Sequence, residues 1–523
     1  MIETNKVIAL FKRAVARRSQ WEDLWEEIYE LMLPMQEGFF NQSLAEENME
    51  LIYDETAVVS IQRFASRLQS GLIPNFSNWF RLIPGSDIPP NDAIKYQPGL
   101  DDITRMILEA LRNTNFSQAS AESFLDLAVG TGNLQINPDL HSGRKLDFTA
   151  ISQPVMYILP GPGNTVSSMF RKHRLDDISE AKVLWPQAKF SKTTTQKMSN
   201  RDGKPQKGVF IEAVIRDWTK LDNETWNYEV VFEDGKETIY NDTFVGEGSN
   251  PFLVYRWSNR PGEVYGRGPA VLALPAARVA NLVTKLTMEN ADIQIGGMWT
   301  VDDDGTVNVD TIEIASGTVI PRTPGSAGLQ SISPGGRIEF GDVLLSRTQE
   351  HIRDIFFNES LGQLDKTPRS ATEVAIRTNQ IAEVMGSSYG RIQYEFVVPL
   401  IRRIVFLLKA SGDIEMPRVN GREISVSPTS PLARGMKFEQ VQNITNFYGT
   451  VAQMLGPERA NIYVNADKIV QHMADNFEIP ADMLTTEDER VKGAQALGQA
   501  AGMAEQQSPG SGADVIDMAS RLA

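Results

Sequence analysis

The sequence predicts an α+β fold, and three observations predict it. Apolar residues recur at helical spacing through the first 130 residues and alternate at strand spacing from about 134 to 257. Two long helical stretches near the centre flank a short segment rich in β-formers and turn residues. The opening helix carries Trp21, Leu24, Trp25, Ile28 and Leu31 on one stripe, and Pro34 marks its end. A second helix is expected over about 54–71, with Ile61, Phe64, Ala65 and Leu68 on one face, a third over about 100–112 and a fourth over about 116–130. In the β-rich part, Val209, Ile211, Ala213 and Ile215 alternate as in a half-buried strand. Trp226, Tyr228, Val230 and Phe232 precede an Asp234-Gly235 turn, which predicts a hairpin, and PFLVYRWS supplies another strand. LPGPGN, ending at Asn164, reads as a turn, and a helix over about 169–185 is expected to interrupt the strands.

The centre is the most organised part. Pro269 opens a helix that can run to about 295 and stops at Gly296-Gly297. Short strands joined by Asp302-Asp303-Asp304-Gly305 follow, then a Pro/Gly/Ser-rich loop over 321–336. A second helix is expected over about 342–360. A polar link leads to a long helix capped by Ser370 and Glu373 and ending near Gly412, with bends at Gly386, Gly390 and Pro399. The last hundred residues read as helical over about 437–454 and 466–476, with a small, polar end.

Composition narrows the chemistry. A chain of 523 residues suggests three or four domains, or one large scaffold with insertions. The absence of cysteine excludes a disulfide framework, thiolate metal sites and a cysteine nucleophile. Four scattered histidines argue against a histidine metal site, so neither metal nor cofactor is expected. The N-terminus lacks the apolar core of a secretion signal. The most apolar run, 396–408, is broken by Arg402 and Arg403, so no membrane span is expected, and the expected location is the cytoplasm or a particle assembled there. With 51 basic against 67 acidic residues, the net charge of −16 argues against clamping nucleic acid. It is compatible with letting a duplex slide past without sticking.

Catalytic signatures are weak. No phosphate-binding P-loop occurs, and Gly130-Thr131-Gly132 reads as a turn rather than a dinucleotide fingerprint. Gly386-Ser387-Ser388-Tyr389-Gly390 matches the nucleophile elbow of serine hydrolases in letters, but the elbow requires a strand before the serine and the pattern here is helical. The Asp302–Asp304 cluster lacks the alternate spacing of a calcium loop and reads as a solvated hairpin tip. The basic run Arg171-Lys172-His173-Arg174 reads as a solvated helix face. The link 362–369, with Lys366 and Arg369 at a sharp reversal between helices, reads as a surface loop unless its neighbours say otherwise.

Five stretches carry a resemblance that changes that weighting: RRSQWEDLWEEIYELMLP, RFASRLQSGLIPNFSNWFRL, GTGNLQI, VYGRGPAVLALPAARVANLV, and TPRSATEVAIRTNQIAEVMGSSYGRIQYEFVVPLIRRIVFLL. In these, and in its order of helix, β-rich insertion, helix, polar loop and long bent helix, the sequence resembles the portal, or head-to-tail connector, family of short-tailed, podovirus-type phages. The resemblance implies a ring at one capsid vertex, usually of twelve subunits, with twelve versus thirteen left open. Double-stranded DNA would pass through it during packaging, retention and ejection. The implied partners are the terminase large subunit, scaffold and major capsid proteins, and tail adaptor proteins, with no membrane, cofactor or catalytic residue; assembly would take place in the host cytoplasm. Mapped onto this chain, 1–267 and 371–425 would form the wing, 268–295 and 342–361 the stem, and 296–341 the clip. Residues 362–370 would form the tunnel loop, 426–500 the crown and 501–523 a flexible tail. The clip holds Arg322 and Arg337 against Asp302, Asp303, Asp304, Asp310, Glu313 and Glu339, and all of these but Glu339 are the expected contact residues. Gln363, Asp365, Lys366, Thr367 and Arg369 would line the bore, with Lys366 and Arg369 ringing it with positive charge. The alternatives are another virion adaptor or scaffold protein and, remotely, a serine hydrolase using Ser388.

Overall fold

The structure, a computed structural model, describes residues 2–36, 51–75, 77–85, 88, 90–139, 145–198, 208–220, 223–296, 298–300, 330–332, 338–358, 386, 388–415 and 424–456, with isolated positions as far as 473. Two compact units divide the chain, Met1–Met436 and Lys437–Ala523.

The first unit is built from helices packed on antiparallel sheets. Helix α1 (Thr4–Met32) does two jobs along its length. Its first half lays Val7, Ile8, Phe11 and Ala14 on one face of a five-stranded sheet, against Tyr157, Phe170, Ile211, Ala213 and Val231. Its second half sends Trp25, Ile28, Tyr29 and Met32 into the main core, shared with α2 (Thr56–Leu72), α3 (Pro90–Arg112) and α4 (Phe116–Val129). Midway, buried Arg18 fixes the register: its Nη1 donates to the carbonyls of Pro154 (2.6 Å), Met156 (3.2 Å) and Gln153 (3.3 Å), and the guanidinium lies 3.7 Å over the Tyr157 ring.

The five-stranded sheet comprises β4 (Met156–Pro160), β5 (Val166–Leu175), β6 (Gly208–Arg216), β7 (Thr225–Phe232) and β8 (Glu237–Val245), each antiparallel to the next. The predicted hairpin is β7–β8, and Lys236 at φ 48° takes the left-handed position of its turn. Two expectations fail here. The helix over 169–185 is not formed: Val166–Leu175 is a ten-residue strand, and only Ile178–Leu184 (α5) is helical. The strand wins because it pairs on both edges, with β4 and β6, which a helix at that position would forfeit. Nor is β6 half-buried: Phe210 and Val214 enter the main core while Ile211 and Ala213 meet α1. A short helix, α6 (Lys192–Met198), links β5 and β6 together with α5.

A three-stranded sheet, ordered β3 (Leu146–Ala150), β2 (Thr131–Pro138), β9 (Phe252–Arg256), sits beside α4. Of the expected Gly130 turn, only Gly130 closes α4; Thr131 and Gly132 already belong to β2. Gly132 lies under the Tyr255 ring, 2.4 Å from where a Cβ would stand. At the next layer, a Cβ on Gly268 would stand 1.9 Å from the Ala128 carbonyl oxygen, so glycine alone allows α7 to start where it does. Strands β1 (Phe80–Pro84) and β12 (Ile424–Pro428), neither expected from the sequence, pair with each other across more than three hundred residues.

Helix α7 (Pro269–Gly296) leads to β10 (Met298–Thr300), which pairs antiparallel with β11 (Gln330–Ile332), and α8 (Ile338–Ile355) returns alongside α7. Thus the expected loop over 321–336 contains a strand, and α8 starts four residues before the predicted Asp342. The remainder of the insertion lies outside the described residues. Helix α9 (Val398–Ala410) is preceded by a π turn over Gln393–Val397. Pro399 has no N–H to return to the Glu395 carbonyl, and the wider turn falls where the sequence predicted a bend.

In the second unit, which takes up the end of α10 (Pro431–Leu455), Val441 and Ala460 are buried while Phe447, Met454, Tyr463 and Val470 are exposed.

Candidate assembly surface

The sequence of α7 carries two stripes. Ala270, Ala273, Leu274, Ala277 and Ala280 follow one another at three- and four-residue steps and are buried against α1, α2 and α4. Their small side chains let the helix backbones approach closely. Leu272, Val279 and Leu286 recur every seven residues, with Pro275 and Leu282 between them, and this stripe faces solvent: Leu272 is 72% exposed and Leu282 56%. Such an a/d pattern is what a helix presents to another helix. On α8, Val343 and Leu344 are exposed as well.

The helix pair is held rigidly enough to present that stripe. Arg278 forms an ion pair with Glu27 of α1 through both Nε and Nη2. Asn281 Oδ1 accepts from the backbone N–H of Tyr53 (2.6 Å) and of Asp54 (3.2 Å), while its Nδ2 donates to the Leu51 carbonyl (3.0 Å). Gln349 of α8 donates to Asp54 at 2.6 Å, and Arg67 of α2 donates to the Phe357 carbonyl at 2.6 Å. Over Pro269–Asp292 the helix is also long and apolar enough to cross a membrane by length and composition, against the expectation that no segment is. A lipid-facing helix is apolar around its circumference, whereas α7 buries one side in protein and pairs Arg278 on another, leaving a single seam.

Two buried polar clusters brace the layers behind this surface. Glu212 on β6 accepts from Gln135 (2.8 Å) and Tyr228 (2.7 Å) and pairs with His173 (2.9 Å); Arg171 donates to Gln135 at 2.5 Å, and Trp185 to Tyr228 at 3.0 Å. The cluster stitches β2 of one sheet to β5, β6 and β7 of the other. Burial alone would raise the Glu212 pKa, but His173, Arg171 and Tyr228 together hold it below the usual carboxylate range. The run Arg171–Arg174 is therefore not a helix face: Arg171 and His173 are strand residues committed to this network. The second cluster is Asp126 on α4, which accepts from the Tyr29 hydroxyl (2.6 Å) and the Gln153 N–H (3.1 Å). Burial pushes its pKa up to about 7, against the lowering effect of those two donors.

Of the residues singled out from sequence, Gln363, Asp365, Lys366, Thr367 and Arg369, and the clip residues Asp302, Asp303, Asp304, Asp310, Glu313, Arg322 and Arg337, all lie outside the described residues, whereas Glu339 falls in the first turn of α8. Ser388 is described: it is half-buried in the helical stretch 388–392, and no hydrogen bond among the described residues joins it to a histidine. Among the described residues no cluster of His, Asp and Glu is arranged to hold a metal ion. The exposed seam of α7 was not singled out from sequence, although the seven-residue spacing of Leu272, Val279 and Leu286 was there to be read.

The chain is 23% identical over 513 residues to a probable portal protein of Bordetella phage BPP-1, covering 92% of this chain and 89% of that protein. Among solved structures, the virion of a native gene transfer agent particle contains a chain 11% identical, with a TM-score of 0.36, covering 82% of this chain and 95% of that one. The neck of the native particle, computed with C12 symmetry, contains one 13% identical, with a TM-score of 0.30, covering 76% and 92%. The family model described as bacteriophage head to tail connecting protein matches residues 4–484, nearly the whole chain. This protein therefore belongs to the head-to-tail connecting family of bacteriophages, the portal class of virion component that its sequence resembles.

Proposed function

We propose that the chain is the portal subunit of a short-tailed phage: about twelve copies close into a ring at one capsid vertex, through which double-stranded DNA is packaged, retained and ejected. The observation that carries this reading is the solvent-facing seam of Leu272, Val279, Leu282 and Leu286 on a helix already buried along its opposite side. A monomer gains nothing from exposing such a seam, and a second copy packed against it would remove the exposure. In this reading α7 and α8 are the stem helices and 296–341 is the clip that meets the terminase large subunit and then tail adaptors. The wing is 1–267 with 371–425, and scaffold and major capsid proteins surround the ring. The crown is 426–500, and the chain has no active site of its own.

Residues 362–370 form the tunnel loop, where copies of Lys366 and Arg369 make transient, salt-sensitive contacts to phosphates. Particles assembled with Lys366→Ala plus Arg369→Ala are expected to package or retain less DNA than wild type; full, stable genomes would remove that role. The placement itself is tested by reconstructing particles without imposed symmetry, with the chain tagged at its C-terminus. Tag density at one vertex per head is expected. Density at every vertex, or only along the tail, would contradict it.

A further inference from the structure

An open cleft of about 800 Å³ lies where the five-stranded sheet, the β2–β9 sheet and the helical stretch 391–403 meet. For a chain of net charge −16 its lining is unexpected: five arginines (Arg216, Arg256, Arg391, Arg402 and Arg403) and two carboxylates (Glu224 and Glu395) among the described residues. Arg256 is consumed by a two-pronged pair with Glu395, 2.7 Å from Nη2 and 3.0 Å from Nε. Arg391 reaches the same Glu395 at 3.3 Å, so two cations share one carboxylate. Arg216 pairs with Glu224 at 3.0 Å, and Arg402 pairs at the rim with Glu247 at 2.7 Å, both of the latter about half exposed.

Arg403 differs from the others. It is 6% exposed and held by backbone carbonyls, Ser249 at 2.7 Å and Ile136 at 3.1 Å, with no carboxylate partner among the described residues. Its positive charge is thus unbalanced in a poorly solvated place, where uncompensated charge acts most strongly. The walls between the arginines are apolar, with Met169, Leu253 and Val398 among them, so the cleft suits a peptide better than a bare ion. At its mouth the π turn presents Tyr394, 74% exposed; such turns concentrate at functional sites.

We infer that this cleft receives an acidic segment of a second copy of the chain, placing Asp or Glu side chains along the row formed by Arg391, Arg402 and Arg403. The inference rests on the ring reading, which sets a neighbour beside every subunit, and on charge: a copy carrying −16 meets a recess with surplus cations. An arginine fork facing a carboxylate in a half-dry recess supplies directional, charge-assisted hydrogen bonds. These would fix how one wing leans on the next, while the α7 seam supplies the apolar area.

Two experiments on the full chain test this. Tyr394→p-benzoylphenylalanine, irradiated in assembled rings, is expected to cross-link to a second copy at a peptide rich in Asp or Glu. Arg391→Ala plus Arg402→Ala, whose side chains are 29% and 42% exposed, is expected to leave the melting temperature of the subunit almost unchanged, because Arg256 still pairs with Glu395. It should raise the concentration needed for half-maximal ring formation by about tenfold at moderate salt, and Arg391→Lys plus Arg402→Lys should recover most of that loss. If wild-type rings form but the alanine pair assembles equally well and Tyr394 cross-links only within its own subunit, the inference is overturned while the ring stands. Cross-linking to DNA instead would reassign the cleft to phosphate and also overturn it. A wild-type chain that never associates would overturn both readings.

Discussion

At the residue scale the most informative groups are two buried carboxylates of opposite character. Asp126 has a folded pKa of about 7, above its value in the unfolded chain. Between the two, the folded state binds the proton that the unfolded state has released, so stability falls as pH rises through this window and levels off above about 7. Asp126→Asn removes the titration: relative to this variant, wild type is expected to lose stability by about 1.4 kcal/mol per pH unit through pH 5–7. Urea unfolding at pH 5, 6, 7 and 8 checks it, and parallel stability curves for the two proteins would refute it. Glu212 runs the other way. Its folded pKa is depressed, so its contribution is present above the ordinary carboxylate range and fades as pH falls. Glu212→Gln leaves Arg171 and His173 facing a neutral partner inside the sheet and is expected to cost about 3 kcal/mol at pH 7; a change in urea midpoint equivalent to less than about 1 kcal/mol would show the network to be dispensable. Neither carboxylate was legible in the sequence, because a lone Asp or Glu in a helix or strand looks like any solvated residue until its long-range partners are known. Arg402 and Arg403 were legible only as interruptions of an apolar run, and folding places both on one cleft.

At the element scale, periodicity located α1, α2, α4, the β7–β8 hairpin, α7 and α8, because in each the buried face is contiguous in sequence. It failed at β5, where Met169, Phe170 and Leu175 are spaced ambiguously and pairing with β4 and β6 decided the outcome. It also failed at β1 and β12, short strands that among the described residues pair only with each other. The seam of α7 makes a prediction that separates folding from assembly. Leu282→Lys plus Leu286→Lys changes side chains that the isolated subunit exposes, so its stability should move by no more than about 0.5 kcal/mol. Association should nevertheless be abolished. Denaturation midpoints together with light scattering distinguish the two effects, and full association of the double variant would remove the seam from the interface. Gly268→Ala acts at the other end of the same helix: its Cβ would collide with the Ala128 carbonyl, and a loss of about 2 kcal/mol or more is expected.

At the scale of the whole molecule, the fold class was recoverable because helical and strand periods occupy separate stretches of the chain. Family membership was recoverable from segments that now have structural reasons. GTGNLQI is the close-packed start of β2 beneath Tyr255, and VYGRGPAVLALPAARVANLV is the glycine joint followed by the double-striped helix. What could not be read from the sequence was the unbalanced cleft, since its arginines come from Arg216, Arg256 and the stretch 391–403, brought together only by the packing of two sheets. On the proposed function, neighbouring copies cover both the exposed seam and the cleft. Negative-stain electron microscopy with native mass measurement on the purified chain tests it most directly. Rings with a central hole and a mass near twelve or thirteen times 58.2 kDa, on the order of 700 kDa, are expected. A stable monomer or dimer that persists across salt concentrations and in the presence of capsid and scaffold proteins would contradict it.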